Sequence, residues 1–397
     1  MNAKKIFIIA AVLLALIGTT LLVYNLFFSA GQTPTITENP QTNGSLPSSG
    51  NASKTPAPGN GTPANQTQTP AAQTDLKIKP ISQEQVYSAT IGVDGKTVKY
   101  YSRLNGHVYE SAFDGSNLTK ISSVTLSGLV KIIWSPDKEK VIGFFSENNQ
   151  IKKYFYDYAS GQSVLLNNNI GSIAWSPDSK KITYQFTSAG SEQSTISTAN
   201  PDGSDWKNIF KTRLDNLIVE WPSKEKISLK TQVSGLAQGV LFALDSLTGD
   251  FNKVLSDLYG LNIKWSPKAD KIIFSSTSNY GKQPKISLSD SSGANTKNLK
   301  LSGIIDKCTW SLDDRTIFCA LPQEINQNVT WPDDYYKGLL ILSDDFYKIN
   351  LESGEKTKIA GSSADINYDA QDLFLSPKED YLFFTNRADG RLYSIKL

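Results

Sequence analysis

Trp134-Ser135-Pro136-Asp137 and Trp175-Ser176-Pro177-Asp178 are two copies of the pattern that decides the fold. In both, an aromatic residue and a Ser-Pro-Asp turn precede a few polar residues and then an apolar, β-rich stretch. Further copies, some of them eroded, begin at Trp221, Trp265, Trp310 and Phe374, and a degenerate first copy begins at Ile91. The copies are 41 to 46 residues apart, with a longer step of 64 before the last. Spacings of about 40–45 residues are typical of four-stranded propeller blades.

A second turn signal runs in phase with the first. In the second to fifth copies, a glycine follows the aromatic residue after 27 or 28 residues. Each repeat therefore contains two hairpins, because proline presets the φ angle of a tight turn and glycine permits positive φ. The pattern predicts an all-β, seven-bladed β-propeller of four-stranded blades over residues 76–397.

The aromatic residues of the repeat are predicted to be structural. Each ends the first strand of its blade, where a large ring fills the space between neighbouring blades. These residues are Trp134, Trp175, Trp221, Trp265, Trp310 and Phe374. In the last copy Leu375 separates Phe374 from Ser-Pro, which leaves the register of that copy open by one residue.

The repeat resembles that of the TolB-type, WD-like propeller family. The resemblance rests on Trp-Ser-Pro-Asp, on the following Lys180-Lys181-Ile182 and on the glycine turns. The repeat is also similar to that in the N-terminal propellers of dipeptidyl-peptidase-type proteins. The resemblance covers residues 76–397 and implies the fold. It implies little about function because the matching residues are structural, and no hydrolase domain is expected.

An N-terminal membrane anchor is predicted before the propeller. Residues 6–28 carry no charge, and such a helix is long enough to span a hydrocarbon core of about 30 Å. Lys4 and Lys5 precede it, and no Lys or Arg follows until Lys54, so residues 1–5 are expected in the cytoplasm and the propeller outside, periplasmic or extracellular. The other interpretation is a cleaved signal peptide, for which this apolar stretch is long.

A flexible linker is predicted between the anchor and the propeller. Residues 29–75 are mostly Pro, Thr, Asn, Gly, Ser, Ala and Gln, without any aromatic residue. This composition buries too little apolar surface to offset the entropy of ordering the chain. The expected organisation is therefore a cytoplasmic N-terminus over 1–5, a transmembrane helix over 6–28, a disordered linker over 29–75 and the propeller over 76–397.

The composition excludes several classes of function. The 40 basic and 38 acidic residues are nearly balanced, which argues against a nucleic-acid partner. The chain has one histidine, His107, and two cysteines, which rules out a His-rich metal site and a four-cysteine zinc site. Neither a nucleophile elbow nor a phosphate-binding loop occurs. We therefore expect no metal, no cofactor and no catalytic residue.

Two long-range pairings are predicted from strand register. Cys308 and Cys319 lie directly opposite each other if Trp310 pairs with Ile317, and should form a disulfide; two reduced thiols are the alternative. The last copy has three strands, and a β-like segment over 76–81 precedes the first. This segment should become the outer strand of the last blade and close the ring.

The largest departure from the repeat predicts a binding site. The aromatic-to-glycine distance in the sixth copy is 44 residues, so an insertion of about sixteen residues lies between its second and third strands. Aromatic residues there, which we expect to be exposed, are interleaved with amides and acids, a combination typical of peptide and glycan sites. The candidate binding residues are Trp331, Asp333, Asp334, Tyr335 and Tyr336 of the insertion, with Tyr280, Asn148 and Asn149 from loops on the same face. The other interpretation is a lid that packs on its own blade.

These features favour a non-catalytic binding or scaffolding module at the cell envelope. It would be held by one membrane helix and would bind an unknown envelope protein, peptide or glycan. The runner-up is an envelope enzyme that acts on glycans or peptides through loop carboxylates, and a third interpretation is an accessory subunit. An enzyme should gather carboxylates with perturbed pKa in the central depression, whereas a binder should present an aromatic and polar surface.

Overall fold

The computed structural model describes residues 77–363 and 366–397. This part of the chain is nearly all β, with antiparallel sheets built on the predicted repeat. The predicted membrane helix over 6–28 and the whole of the predicted linker over 29–75 lie outside the described residues. Within the described ranges, we find no helix with the length and apolarity needed to cross a bilayer.

The strands form four-stranded units in chain order, here called units 1 to 7. Unit 1 contains β2 (Val86–Ile91), β3 (Thr97–Ser102), β4 (Val108–Ala112) and β5 (Thr119–Ser122). Unit 2 contains β6 (Leu129–Trp134), β7 (Lys140–Glu147), β8 (Gln150–Asp157) and β9 (Ser163–Leu165). Unit 3 contains β10 (Ile170–Trp175), β11 (Ile182–Thr187), β12 (Ser194–Ala199) and β13 (Lys207–Thr212).

Units 4 and 5 share one long strand. Unit 4 contains β14 (Ile218–Ser223), β15 (Lys226–Lys230), β16 (Gln238–Asp245) and the first half of β17 (Phe251–Trp265). Unit 5 contains the second half of β17, then β18 (Lys271–Ser278), β19 (Lys282–Asp290) and β20 (Lys297–Ser302). Because β17 runs on from one unit to the next, the two units form one continuous seven-stranded sheet.

Units 6 and 7 complete the order. Unit 6 contains β21 (Cys308–Trp310), β22 (Thr316–Pro322), β23 (Asp344–Asn350) and β24 (Lys356–Gly361). Unit 7 contains β25 (Ala370–Leu375), β26 (Tyr381–Asn386), β27 (Leu392–Lys396) and, from the other end of the chain, β1 (Ile78–Pro80). One short helix, α1 (Asp333–Tyr336), lies in the insertion of unit 6, and single 3-10 turns cover Asn279–Gly281 and Ile305–Lys307.

The predicted closure by β1 is confirmed. β1 pairs antiparallel with β27, placing Ile78 opposite Ile395 and Pro80 opposite Tyr393. It is an edge strand, which tolerates the missing N–H of Pro80. The first strand of unit 7, β25, contacts the first strand of unit 1, β2, so the two ends of the repeat series meet. Cys308 and Cys319 also lie opposite each other as predicted, and a disulfide joins them.

Local hydrogen bonds explain why the Ser-Pro-Asp segments turn. The Ser176 hydroxyl donates to Asp178 Oδ1 over 2.7 Å and accepts from the Lys181 N–H over 2.9 Å. These bonds close the loop between the first and second strands of unit 3, because the short side chains satisfy backbone groups that the turn leaves unpaired. They also hold the pKa of Asp178 below its usual value, with the Ser176 hydroxyl as the main cause.

Three of the repeat tryptophans bind neighbouring units together. The indole N–H groups of Trp134, Trp175 and Trp310 donate to backbone carbonyls in the first strand of the preceding unit. In the last copy, Leu375 pairs with Leu382 as Trp134 pairs with Val141. The assignment of Phe374 to the tryptophan position is therefore one residue off. Phe374 pairs instead with Phe383, and their rings stack.

Candidate functional site

The insertion of unit 6 lies between β22 and β23, as predicted, and covers residues 323–343. It reaches beyond its own unit. The Asp333 carboxylate accepts from the Ser234 hydroxyl over 2.8 Å and from the Gly235 N–H over 2.6 Å, in the loop between β15 and β16 of unit 4. The Trp331 N–H donates to the Gly281 carbonyl of unit 5 over 2.8 Å. The insertion therefore spans the face that carries the loops between second and third strands.

Two aromatic residues of the insertion are buried. Trp331 is 1% exposed and Tyr335 is 4% exposed, and both pack with Ile304 and Leu342 in a small apolar cluster. The expectation of exposed rings is therefore wrong for Trp331 and Tyr335. The physical reason is that the insertion folds back onto three neighbouring units, and its apolar side chains form the core of that contact.

A buried ion cluster fixes the insertion to units 6 and 7. The Lys307 ammonium is fully buried and donates to Asp344 over 2.7 Å and to Asp369 over 2.5 Å. Burial alone would lower the pKa of Lys307, but the charges of Asp344, Tyr335 and Asp369 outweigh it and raise that pKa. The Tyr335 hydroxyl donates to Asp369 over 3.1 Å, and Arg387 donates to the Tyr335 carbonyl over 3.0 Å. Most polar groups of this cluster are directed at one another, which is typical of a structural cluster; Asp344 Oδ1 and Arg387 Nη1 are buried without a hydrogen-bond partner among the described residues.

Tyr336 of the insertion contacts Asn262, on the first strand of unit 5, and Asp306, which lies just before the first strand of unit 6. Its ring is 43% exposed, and its hydroxyl donates to Asp306 over 2.6 Å. The Asn262 side-chain amide also donates to Asp306 and itself accepts from the buried Lys230 ammonium. Burial raises the pKa of Tyr336, with the Asp306 carboxylate adding to the shift. The insertion therefore covers the space between the first strands on this face.

The remaining predicted binding residues lie apart from one another. Asn148 and Asn149 form the exposed tight turn between β7 and β8, both with positive φ. Tyr280 is 74% exposed beside the insertion, next to Gly281. Asp334 accepts from the Thr330 N–H over 2.8 Å inside the insertion. Tyr280 and Tyr336 therefore offer exposed ring surface on this face, while Asp333 and Asp334 are engaged within the protein.

The sequence analysis missed a group of charged residues on the first strands. Glu220 on β14, Lys264 on β17 and Asp372 on β25 influence one another's protonation, together with Asp306 and with Lys131 on β6. These residues come from the consecutive units 4, 5, 6 and 7 and from unit 2, which is separated from them in the series. We infer that they face one common central space, as the inner strands of a propeller do.

Protonation in this central group is shifted by burial. Burial raises the pKa of Glu220, against the opposing charges of Lys230 and Lys264. Burial also raises the pKa of Asp372 and lowers the pKa of Lys264, whose shift is opposed mainly by Asp306. The Lys264 ammonium donates to the backbone carbonyls of Asp306 and Cys308. Two carboxyl groups and one amine thus have pKa values moved toward neutrality.

A pocket of about 460 Å³ lies where the first strands of units 4 to 6 end. Its lining includes the rings of Trp221 and Trp265, with Glu220 and Lys264 beside them. Trp221 and Trp265 are only half-buried, and neither donates its indole N–H to a preceding unit, unlike the other repeat tryptophans. Because Ser-Pro-type turns surround it, we call it the turn-side pocket. It combines aromatic faces with one carboxyl group and one ammonium group.

The described residues do not provide a metal site. Within 77–363 and 366–397, no group of three or more His, Cys, Asp or Glu side chains is arranged to hold a metal ion. His107 is far from such a role: its Nε2 lies 3.5 Å from the Thr125 hydroxyl, in the loops of unit 1.

The fold is similar to that of solved structures with very different sequences. An oligogalacturonate lyase from Vibrio parahaemolyticus superposes with a TM-score of 0.58 at 10% identity, over 82% of this chain and 94% of that chain. An oligogalacturonate lyase in complex with manganese gives 0.56 at 11% identity, over 81% and 91%. TolB from Acinetobacter baumannii gives 0.44 at 13% identity, over 70% and 64%. At these identities the likeness to the two lyases concerns the fold alone, a β-propeller.

Neither a protein-family model nor a curated protein sequence matches this chain.

Proposed function

We propose that the chain is a seven-bladed propeller that binds a glycan at its turn-side pocket, outside the cytoplasm. Units 1 to 7 are the blades, and the space shared by Glu220, Lys264 and Asp372 is the central channel. The apolar segment over 6–28 anchors the protein in the membrane, and the segment over 29–75 links it to the propeller. Binding, without turnover, is the proposed activity.

The turn-side pocket is the observation that carries this proposal. Sugar rings present C–H faces that pack on indole rings, and hydroxyl groups that bond to charged side chains. Trp221 and Trp265 supply the first kind of surface, while Glu220 and Lys264 supply the second. A volume of about 460 Å³ is within the range of small-molecule sites and suits one or two sugar units.

Two further observations support the turn side over the opposite face. The insertion of unit 6 lies across the opposite face, with Trp331 and Tyr335 buried. The Asp333 carboxylate and the Tyr336 hydroxyl of the insertion are engaged by Ser234, Gly235 and Asp306. The similar structures named above are oligogalacturonate lyases, and an oligogalacturonate is an oligosaccharide, which favours a glycan as the ligand. The sequence predicts the ligand on the insertion side, whereas we propose the turn-side pocket.

The proposal is tested on a glycan array with the full-length protein in nanodiscs. The wild-type protein should bind a limited set of glycans, and the variants Trp221→Ala and Glu220→Gln should no longer bind that set. Trp206→Ala is the matched control, because Trp206 is 64% exposed and does not line the pocket. A peptide library run in parallel identifies a peptide ligand instead, which would contradict the glycan assignment.

An enzyme acting on glycans is the second candidate, because one observation favours it. Glu220 and Asp372 are carboxyl groups with raised pKa values around one amine, which fits general acid and base roles. Incubating each recognised glycan with wild type and with Glu220→Gln separates the two functions. Products released by wild type and lost in the variant establish an enzyme, whereas intact glycans support the binder.

A further inference from the structure

We propose a second ligand site, in a cleft between units 1 and 2, that takes a flat, uncharged apolar molecule. The cleft encloses about 550 Å³ and shares no residue with the turn-side pocket. It lies between the sheet of unit 1 and the sheet of unit 2, where other neighbouring units pack against each other. Its walls and its charge each restrict the ligand.

One wall of the cleft contains a glycine in the second strand of unit 2. Gly143 on β7 lies opposite Ile132, and the equivalent residues of units 3, 4 and 5 are the larger Tyr184, Leu229 and Phe274, each buried in the apolar core between two units. At Gly143 the Phe145 ring takes up the adjacent space, since an added Cβ atom would lie 2.7 Å from Phe145 Cε2. Phe145 also lines the cleft, so the wall of unit 2 is an aromatic ring at this position.

Both walls of the cleft are largely apolar. Unit 2 contributes the aromatic side chains Phe145, Tyr154 and Tyr156, and unit 1 contributes aliphatic side chains such as Val108 and Ile121. At the rim, Ile121 is 46% exposed and Val124 is 64% exposed, in the segment that leads from unit 1 to unit 2. Exposed aliphatic groups around an aromatic slot indicate an apolar occupant, since water is a poor solvent for both surfaces.

The charge of the cleft restricts the ligand further. Among the described residues that line it, Glu147 is the one with a charged side chain. Its carboxylate is already bound, by the Lys152 ammonium at 3.1 Å and by the Tyr154 hydroxyl at 3.2 Å. The hydroxyls of Tyr101 and Tyr158 bond to each other. A charged ligand would therefore lose its hydration without gaining a partner, whereas a neutral ring system would lose little.

Fluorescence titration with N-phenyl-1-naphthylamine, an uncharged two-ring-system probe, tests the site. The comparison uses the variant Gly143→Leu, which introduces the residue found at the equivalent position of unit 4. Full-length wild-type protein in nanodiscs should give a saturable signal with one site per chain, and this signal should exceed that of nanodiscs carrying Gly143→Leu. A Cβ atom there would come 2.7 Å from Phe145 Cε2, so the Phe145 ring must turn toward the cleft. Gly143→Leu should weaken binding of the probe at least tenfold, because the displaced Phe145 ring then occupies the cleft.

Three controls keep the test decisive. Gly171→Ala, where the new Cβ meets only ordinary contact with the Gln185 carbonyl, should leave the probe unaffected. Val124→Asp, a change at the exposed rim, should weaken binding of the probe without changing the Tm. This variant replaces Gly143→Leu in the test if Gly143→Leu fails to fold. The sulfonated analogue 8-anilinonaphthalene-1-sulfonate should bind more weakly than the neutral probe. The proposal is overturned if wild type shows no saturable signal, or if folded Gly143→Leu or Val124→Asp binds the probe like wild type.

Discussion

Replacing Lys307 by methionine should destabilise the protein strongly. The ammonium is fully buried and donates to Asp344, Asp369 and the Ala370 carbonyl. Without it, Asp369 keeps a cation, because Arg387 lies 3.7 Å away, but Asp344 keeps only the Ala370 N–H. One buried carboxylate is then unpaired, which costs about 3–5 kcal/mol of unfolding free energy.

The expected change in Tm follows from the size of the folded region. A region of about 320 residues has an unfolding entropy near 0.7 kcal/mol per degree at its Tm. A loss of about 4 kcal/mol therefore lowers the Tm by about 6 °C. The measurement is intrinsic tryptophan fluorescence during a thermal ramp of the full-length protein. Lys337→Met is the matched control, since Lys337 is 62% exposed with Asp334 3.9 Å away, and its Tm should stay within about 1 °C of wild type.

A double variant separates the lost ion pair from lost packing. Adding Asp344→Asn to Lys307→Met removes the stranded charge and should recover most of the Tm. The pKa of Lys307 is raised in the folded protein. Its contribution to the free energy of unfolding is therefore complete at any pH below the pKa of an unfolded lysine, and it is lost only when the pH rises through the folded pKa. Lys307 itself therefore adds no pH dependence below its unfolded pKa. The deficit of Lys307→Met should still shrink on acidification, because burial raises the pKa of Asp344 and the stranded carboxyl then takes up a proton. The reasoning is refuted if Lys307→Met melts like wild type, or if the double variant melts no higher than the single one.

Three further predictions concern the fold. Deleting residues 77–81 should lower the Tm and broaden the transition, because the edge of β27 loses its partner; an unchanged melt would contradict closure by β1. Replacing Cys308 and Cys319 by serine should cost about 3 kcal/mol for a separation of 11 residues, and wild-type protein denatured without reductant should show no free thiol. Asp178→Asn should lower the Tm at pH 7, because the pKa of Asp178 is depressed in the folded protein. Such a carboxyl stabilises the fold above its unfolded pKa, and this stabilisation is lost as the pH falls through the folded pKa. The difference between Asp178→Asn and wild type should therefore shrink on acidification, and a gap that widens would contradict the assignment.

Much of the architecture could be predicted because the repeat encodes it locally. Ser176 and Asp178 close their turn through neighbouring atoms, so the turn is visible in four residues. The pairing of Cys308 with Cys319 followed from counting along one hairpin. Burial in the insertion could not be predicted in this way. Whether Trp331 is exposed depends on Gly281 of another unit, and no local pattern reports that contact.

The central charges did leave a signal in the sequence. Glu220 and Lys264 directly precede the aromatic residue of their copies, where the second and third copies have Ile133 and Ala174. A charged residue in an otherwise apolar strand could therefore have indicated the channel. What the sequence does not show is that these strands, far apart in the chain, bring Glu220 and Lys264 to one pocket.

The central claim is that the turn-side pocket binds a glycan through Trp221 and Glu220. It is tested most directly by the dissociation constant of the strongest array glycan, measured by isothermal titration calorimetry for wild type, Trp221→Ala and Trp206→Ala. Losing a ring that contacts the ligand should cost about 2 kcal/mol, so Trp221→Ala should bind about 30-fold more weakly while Trp206→Ala binds like wild type. Equal affinity of wild type and a folded Trp221→Ala would contradict the account.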